Sequence, residues 1–377
     1  MNYSLTTLWH ERSRYIPGIL AVAFSAVLMA LQCGLLLGLF SITSIPIDHS
    51  RSDLWIGSPE VLSVDLGRPI PVSLLARCGQ ISGVESIELY YQAFANWTKP
   101  GGGSDLCIVI GSNLDDENLG SIEELTSDLR IRLTEPMSIV VDESELSRLG
   151  VKGIGDSAEI NKEKVRVVGL VKGLKSLAGP YVFCSQATAR KLLRFVVPNE
   201  HCTYFLIKLS NSDSAKEYET LFRSKYTSYH DMSIFTSRDF SIHSRLHWLM
   251  KTKAGIAIGY AALLGLLVGM VVTSQTLYAA TTASAREFAI LLALGIPRWR
   301  VSITVLMQSF WVGILGLSVA YPTVKLLADG ALLVGVKVLL PYELLFASAA
   351  ITMFMAMVAG LFALRSVRKI EPMTLLR

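Results

Sequence analysis

Four stretches of this chain are too long and too apolar to be solvated by water. They run over residues 16–40, 254–280, 301–327 and 342–364. Crossing about 30 Å of hydrocarbon at about 1.5 Å per residue takes about 20 apolar residues in a helix. Within the four, only Lys325 and Glu343 are charged, and both stand near an end where the side chain reaches the interface. A charge at mid-membrane costs about 2.5–3.5 kcal/mol on insertion, so this scarcity points to lipid. Composition agrees: 18% of the 377 residues are charged and 51% hydrophobic, where a soluble chain carries about 25% charged. The first run is longer than a signal-peptide core, and SITSIPIDHS after it holds no small-residue cleavage site. It reads as an uncleaved anchor.

Lys and Arg set the orientation. The short ends and the 281–300 loop carry Arg12, Arg14, Arg286, Arg298, Arg300, Arg365, Arg368, Lys369 and Arg377 against Glu11, Glu287 and Glu371. The whole chain nets +4, so the remainder is negative. Both termini and that loop are therefore expected in the cytoplasm of a bacterial cell, with the inner membrane spanned four times. The long segment lies outside. The positive balance is a topology signal, and no basic, aromatic-laced surface points to nucleic acid.

The expected organisation is a cytoplasmic segment at 1–15, a first span at 16–43, and an extracytoplasmic domain at 44–253. A second span at 254–280, a cytoplasmic helix within 281–300 and a third span at 301–327 follow. A short outer loop at 328–341, a fourth span at 342–364 and a tail at 365–377 complete it. The fold class is thus an α-helical membrane protein with an α+β domain between its first and second spans. In that domain ESIELYYQAFANW, LCIVIGSNL, VRVVGLV and YFLIKLS read as strands, rich in β-branched and aromatic residues. DLWIGSPEVLSVD reads as another. VSLLARCGQISG and SIEELTSDL read as helices. In AKEYETLFRSKY, Tyr218, Leu221 and Phe222 share one helical face. From Ser241 the chain reads as one continuous helix into the second span, a stalk able to carry displacement. Cys78, Cys107, Cys184 and Cys202 lie in the domain, where an oxidising compartment permits disulfides in any of three pairings. The alternative is four small buried apolar side chains.

Signals for chemistry are weak. GLVKGLKSLAG, from Gly169, has the wrong spacing for a phosphate-binding loop and reads as a strand-end loop. His243 and His247 are spaced i,i+4, yet no acidic or Cys ligand stands near them in sequence, so no metal is expected. Asn96-Trp97-Thr98 fits a glycosylation sequon. No Ser/His/Asp or Cys/His arrangement has a supporting local signature. Gly34/Gly38, Gly255/Gly259 and Gly265/Gly269 have the spacing that lets membrane helices approach closely.

The loop TTASAREFAILLALGIPRWRV, from Thr281, is different. Ser284 followed three residues later by Glu287 fits a capping box, and Gly295 with Pro297 fits a helix stop. Between them Phe288–Leu294 is apolar nearly all round. A re-entrant or interface-lying helix is one reading, but such anchors carry a strongly charged face. A knob that plugs a partner's groove is the other.

These residues carry a family resemblance. AREFAILLALGIPRWRV resembles the loop after the second span in MacB/FtsX-type ABC permeases. ALRSVRKIEPMTLLR is similar to that family's closing motif, and GVKGIGDSAEINKEKVRVVGLV to its Gly-Asp, strand and hairpin segment. LMALQCGLLLGLF and GVESIELYYQAFANWTKP look most like the DevC branch. Leu292 stands where the family commonly has Arg or Lys.

The resemblance implies a non-enzymatic, cofactor-free permease subunit, two copies of which join a separate ABC ATPase dimer. Arg286, Glu287, Phe288, Ala289, Leu291, Leu294 and Gly295 would form the ATPase-coupling helix, with Ser284 as its cap. It also implies export of a lipid-like or other envelope substrate with an HlyD-type adaptor, membrane lipid surrounding the spans. Its alternative is FtsX-like signalling that activates an envelope hydrolase without transport. A membrane-anchored enzyme or sensor is the third reading, and it leaves the coupling helix without a purpose.

Overall fold

The computed structural model describes residues 12–78, 83–176, 178–226, 232–283, 290, 294, 297–333 and 336–368. It divides into two units, one formed by Met1–Gly38 with Ile256–Arg377 and the other by Leu39–Gly255. The first long helix, α1, is Arg12–Ile42, and the short α2 is Ile45–Asp48.

Alternating side chains build the second unit. Its strands are β1 (Leu54–Gly57), β2 (Val84–Thr98), β3 (Ser104–Ser112), β4 (Ser138–Asp142), β5 (Ser157–Ile160), β6 (Glu163–Val171), β7 (Tyr181–Ser185), β8 (Tyr204–Leu209) and β9 (Ser233–Thr236). They form one sheet in the order β9-β1-β8-β2-β3-β7-β4-β6-β5, with β5 also pairing β2. Pairing is mixed: β3 with β7 and β4 with β6 run parallel, while β2 with β3 runs antiparallel. Successive residues of a strand point to opposite faces, and both faces are covered. Tyr91, Ala93, Ala95, Trp97, Cys107 and Val109 belong to one apolar cluster. Trp55, Tyr90, Ile108, Ile110, Tyr204 and Leu206 belong to the other. This two-sided burial explains why LCIVIG is apolar without alternation. The β5–β6 hairpin turns at Asn161 and Lys162, both at positive φ, as the mirror-image hairpin turns require.

Helices α3 (Ser127–Leu133), α4 (Gln186–Leu192), α5 (Ala215–Tyr226) and α6 (Ser237–Lys251) cover the sheet or its ends. Asn96 is exposed, whereas Trp97 is fully buried and its Nε1 donates to the Leu149 carbonyl at 2.9 Å. Among the described residues Cys107, Cys184 and Cys202 are buried and make no disulfide. Burial pushes the Cys107 thiol up to about 12 and raises Cys184 as well, so both behave as small apolar side chains.

Several expectations need correction. Strand β1 ends at Gly57, and the rest of DLWIGSPEVLSVD leads into a 3₁₀ turn at Val64–Leu66. The helix expected over SIEELTSDL begins only at Ser127. Phe222 is buried on α5, but Leu221 is exposed, because one apolar side chain at each turn is enough to seat this short helix.

Most consequential, the stalk is not continuous with the second span. Helix α6 ends at Lys251, and the next residue, Thr252, is extended at φ −98° and ψ 145°. The Thr252 hydroxyl donates to the Trp248 carbonyl and accepts from the Gly255 N–H at 3.1 Å, so one side chain closes one helix and caps the next. A Cβ at Gly255 would lie 2.6 Å from Leu249 Cα, which is why the bend tolerates only glycine there.

Beyond it α7 (Lys253–Ala283), α8 (Arg298–Leu333) and α9 (Tyr342–Arg368) follow. Tyr15–Ile42, Gly255–Thr276, Ser302–Leu333 and Tyr342–Leu361 are long and apolar enough to cross a membrane. Helix α8 continues through Leu333, into the segment expected as a loop, because nothing from Ala328 to Leu333 breaks it.

Packing in this unit rests on small residues. The Ser25 hydroxyl lies 2.8 Å from both the Gly269 carbonyl and the Thr273 hydroxyl, tying α1 to α7. A Cβ on Gly316 would come within 2.7 Å of Val22, and one on Gly313 within 2.8 Å of the Met353 sulfur. Gly34 and Gly38 serve a partner the glycine spacing does not suggest. They face the non-helical segment Lys337–Leu340, and the Leu339 N–H donates to the Gly34 carbonyl at 3.1 Å.

Candidate transmission site

The expected coupling residues Ser284, Arg286, Glu287, Phe288, Ala289, Leu291 and Gly295 lie outside the described residues. Leu294 is described: its N–H donates to the Ile290 carbonyl at 3.0 Å, one helical turn, and its side chain is 75% exposed. Ile290 is also exposed.

The structure assembles a second site, around α6. The segment leaving α1 turns at Ser44, and Pro46 stands in the first turn of α2, where its missing N–H costs nothing. This places Asp48 against α6. Its Oδ1 accepts from the Ser241 hydroxyl at 2.6 Å, and its Oδ2 accepts from Arg245 and from Ser44, each at 2.6 Å. Arg245 Nε donates to Ser44 Oγ at 2.8 Å. A guanidinium donating through two nitrogens to neighbouring groups fixes orientation as well as distance. The chain emerging from the first long helix is thereby bolted to α6.

Two further contacts hold α6. The Val64 N–H donates to Ser244 Oγ at 3.1 Å, and Trp248 Nε1 donates to Ser63 Oγ at 3.0 Å. At the start of α6, Thr236 caps by accepting from the Asp239 N–H at 3.1 Å. Lys216 of α5 bonds both Asp239 and Glu219, and the Asp239 hydrogen bond is the main reason its ammonium is held above the usual lysine range. The same lysine holds the Asp239 carboxyl below its usual range. One face of α6 thus carries Phe240, which stacks on Phe235 at 5.0 Å, Ser241, Ser244, Arg245 and Trp248. His243 stacks on Phe235 at 5.6 Å, and His247 meets Trp248 edge-on at 6.3 Å. Burial, then the nearby His243, pushes the His247 pKa down. No group of three His, Cys, Asp or Glu able to hold a metal occurs among the described residues.

Sequence reasoning missed Asp48, Arg245, Ser63 and Thr252. IPID falls in no element expected from the sequence, and its partner on α6 is nearly two hundred residues away. A Pro at N1/N2 followed by an acid was the only local signal.

The described features define a class: a four-span membrane protein with a mixed α/β domain between its first and second spans. Residues 259–372 match the family described as FtsX-like permease, C-terminal. No curated protein matches the chain. Among solved structures, the periplasmic region of MacB from Actinobacillus actinomycetemcomitans is similar over 52% of this chain and 94% of its own, at 16% identity and a TM-score of 0.35. The extracellular domain of the noncanonic ABC-type transporter YknZ from Gram-positive bacteria is similar over 49% and 100%, at 9% identity and a TM-score of 0.32.

Proposed function

We propose that this chain is the membrane subunit of an ABC exporter, converting ATP hydrolysis in a separate subunit into movement of its extramembrane domain. The family match over residues 259–372 carries this reading. In it, the 281–300 loop lies in the cytoplasm of the bacterial cell. Arg286, Glu287, Phe288, Ala289, Leu291, Leu294 and Gly295, capped by Ser284, seat in a groove of the ATPase.

ATP-driven closure of the ATPase dimer displaces α7 in two copies of this chain, a two-state element biased from one side. The Asp48–Arg245 bolt and the Ser63–Val64 contacts keep α6 in one piece with the sheet, so a displaced α6 moves the domain rather than sliding along it. The domain then drives an envelope substrate into an HlyD-type adaptor. No catalytic residue is assigned.

Capture of the full chain from native membranes in mild detergent, followed by identification of bound proteins, tests this. Leu291→Asp with Leu294→Asp places two charges in the groove contact and should cut the ATPase recovered by about thirtyfold, the scale of a hot spot worth about 2 kcal/mol. Unchanged recovery removes the coupling assignment. Recovery of an envelope hydrolase instead of an adaptor replaces export by signalling.

A further inference from the structure

Asp65 is a carboxylic acid in the core of the domain, 4% exposed on the Val64–Leu66 turn. Its Oδ1 accepts from Gln92 Nε2 of β2 at 2.8 Å and from the Tyr181 hydroxyl of β7 at 3.1 Å. The titratable groups facing it are Tyr90 on β2, Tyr181 on β7 and Tyr204 on β8, with Glu88 acting on Tyr90 from further along β2. From α6 the turn meets Ser244 and Trp248, both neutral. Among the described residues no cation acts on Asp65, and burial raises its pKa to about 7 against the pull of the Tyr181 and Gln92 hydrogen bonds.

The surroundings are suited to two protonation states and complete for neither. Among the described residues Gln92 Oε1, Tyr90 OH and Trp55 Nε1 are buried without a hydrogen-bond partner, and native cores leave few such atoms. Gln92 Oε1 is an acceptor suited to the O–H of a neutral acid. The Tyr90 hydroxyl, whose pKa Asp65 helps to raise, is a donor suited to a carboxylate. Trp55 stands edge-on to Tyr90 and to Tyr204, each at 5.3 Å, so these groups share one wall.

The same turn grips α6. Val64 donates to Ser244, Ser63 accepts from Trp248, and the Tyr204 hydroxyl donates to the Val64 carbonyl at 2.8 Å. We propose that Asp65 is a proton-binding site that sets how firmly the Ser63–Leu66 turn holds α6. With its proton bound, the acid is neutral and the turn stays seated. Loss of the proton to solvent leaves an anion in the core with no cation beside it. The turn then gains by moving toward water, which takes Ser63 and Val64 off α6.

Because the seated carboxyl holds its proton more tightly than a solvated one, seating is strongest at acid pH. It weakens as pH rises from about 4 toward 7 and is level above that. If release returns Asp65 to its ordinary value of 3.8, the seating equilibrium falls about tenfold between pH 6 and pH 8.

Amide hydrogen exchange of the full chain in lipid nanodiscs, corrected for the intrinsic pH dependence of exchange, reads this directly. Protection over Ser241–Lys251 should fall about tenfold from pH 6 to pH 8 in the wild type and stay constant in Asp65→Asn. His243 and His247 stand on the same helix and histidine changes charge in this range, so the comparison with Asp65→Asn decides. Tyr181→Phe, which removes a donor to the carboxylate, should move the midpoint to higher pH and serves if Asp65→Asn does not fold. A wild type without the fall, an equal fall in Asp65→Asn, or an unmoved midpoint in Tyr181→Phe overturns the proposal. Loss of the ATPase association described above would leave it standing.

Discussion

The two units of this molecule solve packing in opposite ways. The domain hides its largest side chains: Trp55, Trp97, Tyr90, Tyr181 and Tyr204 are all fully buried in or beside the sheet. The membrane unit hides its smallest, with Ala23, Ala26, Ala30, Ala356 and Ala359 in its interior and Phe310, Phe346 and Phe354 on its surface. Water supplies the reason for the first arrangement, since each large apolar side chain removed from it contributes about 1.5–3 kcal/mol. In lipid that drive is absent, and close approach of backbones is what remains. The second span goes furthest: 17% of its apolar window is buried within the chain, against 44% for the first. A helix so little covered by its own chain is free to face lipid or a partner.

The largest test of this contrast is Trp97→Ala. Trp97 is fully buried, and its loss removes both a large apolar volume and the bond to the Leu149 carbonyl. A destabilisation of about 3–5 kcal/mol is expected, read as a lower denaturant midpoint of tryptophan fluorescence. Helical circular dichroism from the spans should survive that transition. Simultaneous loss of both signals would mean that the two units do not differ in what holds them together.

The contrast also governs what can be read from residues alone. Spans show as long apolar runs because lipid demands them along the whole helix. Strands β2, β3, β6 and β8 show because two-sided burial writes itself as dense β-branched and aromatic sequence. The bend at Thr252 is hidden: KTKAG contains no proline, and only the hydroxyl's two hydrogen bonds decide it. The Asp65 site is hidden for another reason. Its partners Gln92 and Tyr181 come from distant strands, and VLSVD reads as the end of a strand rather than as a turn. The Gly34/Gly38 spacing is visible, but the segment against it is not a helix, so the pattern announces close approach without naming what approaches.

That pair supplies the next test. A Cβ at Gly38 would collide with the Lys337 carbonyl, a backbone atom that cannot rotate aside. Gly38→Leu should therefore cost about 1–3 kcal/mol by overpacking, seen as a lower midpoint in mild-detergent unfolding. Gly330→Leu, where a Cβ would meet nothing within 4 Å, should be near neutral. Equal effects at the two glycines would show that small residues here reflect composition rather than contact.

The smallest effect is the most informative about lipid. Ser25 is 1% exposed, and its hydroxyl, with one proton to give, donates to the Ala21 carbonyl at 2.9 Å or to Gly269 at 2.8 Å and can accept from Thr273. In a water-soluble core, leaving the Thr273 hydroxyl unpaired would cost about 1–3 kcal/mol. Within a membrane the released group finds another acceptor on its own helix, and bonds of this kind average about 0.6 kcal/mol. Ser25→Ala should accordingly destabilise the membrane unit by about 0.6 kcal/mol, with Thr273→Val adding little to it in a double-mutant cycle. A Ser25→Ala loss of the size expected at Trp97 would mean that α1 and α7 are held by this one polar contact. Small residues would then be its consequence, placed to let the two hydroxyls meet.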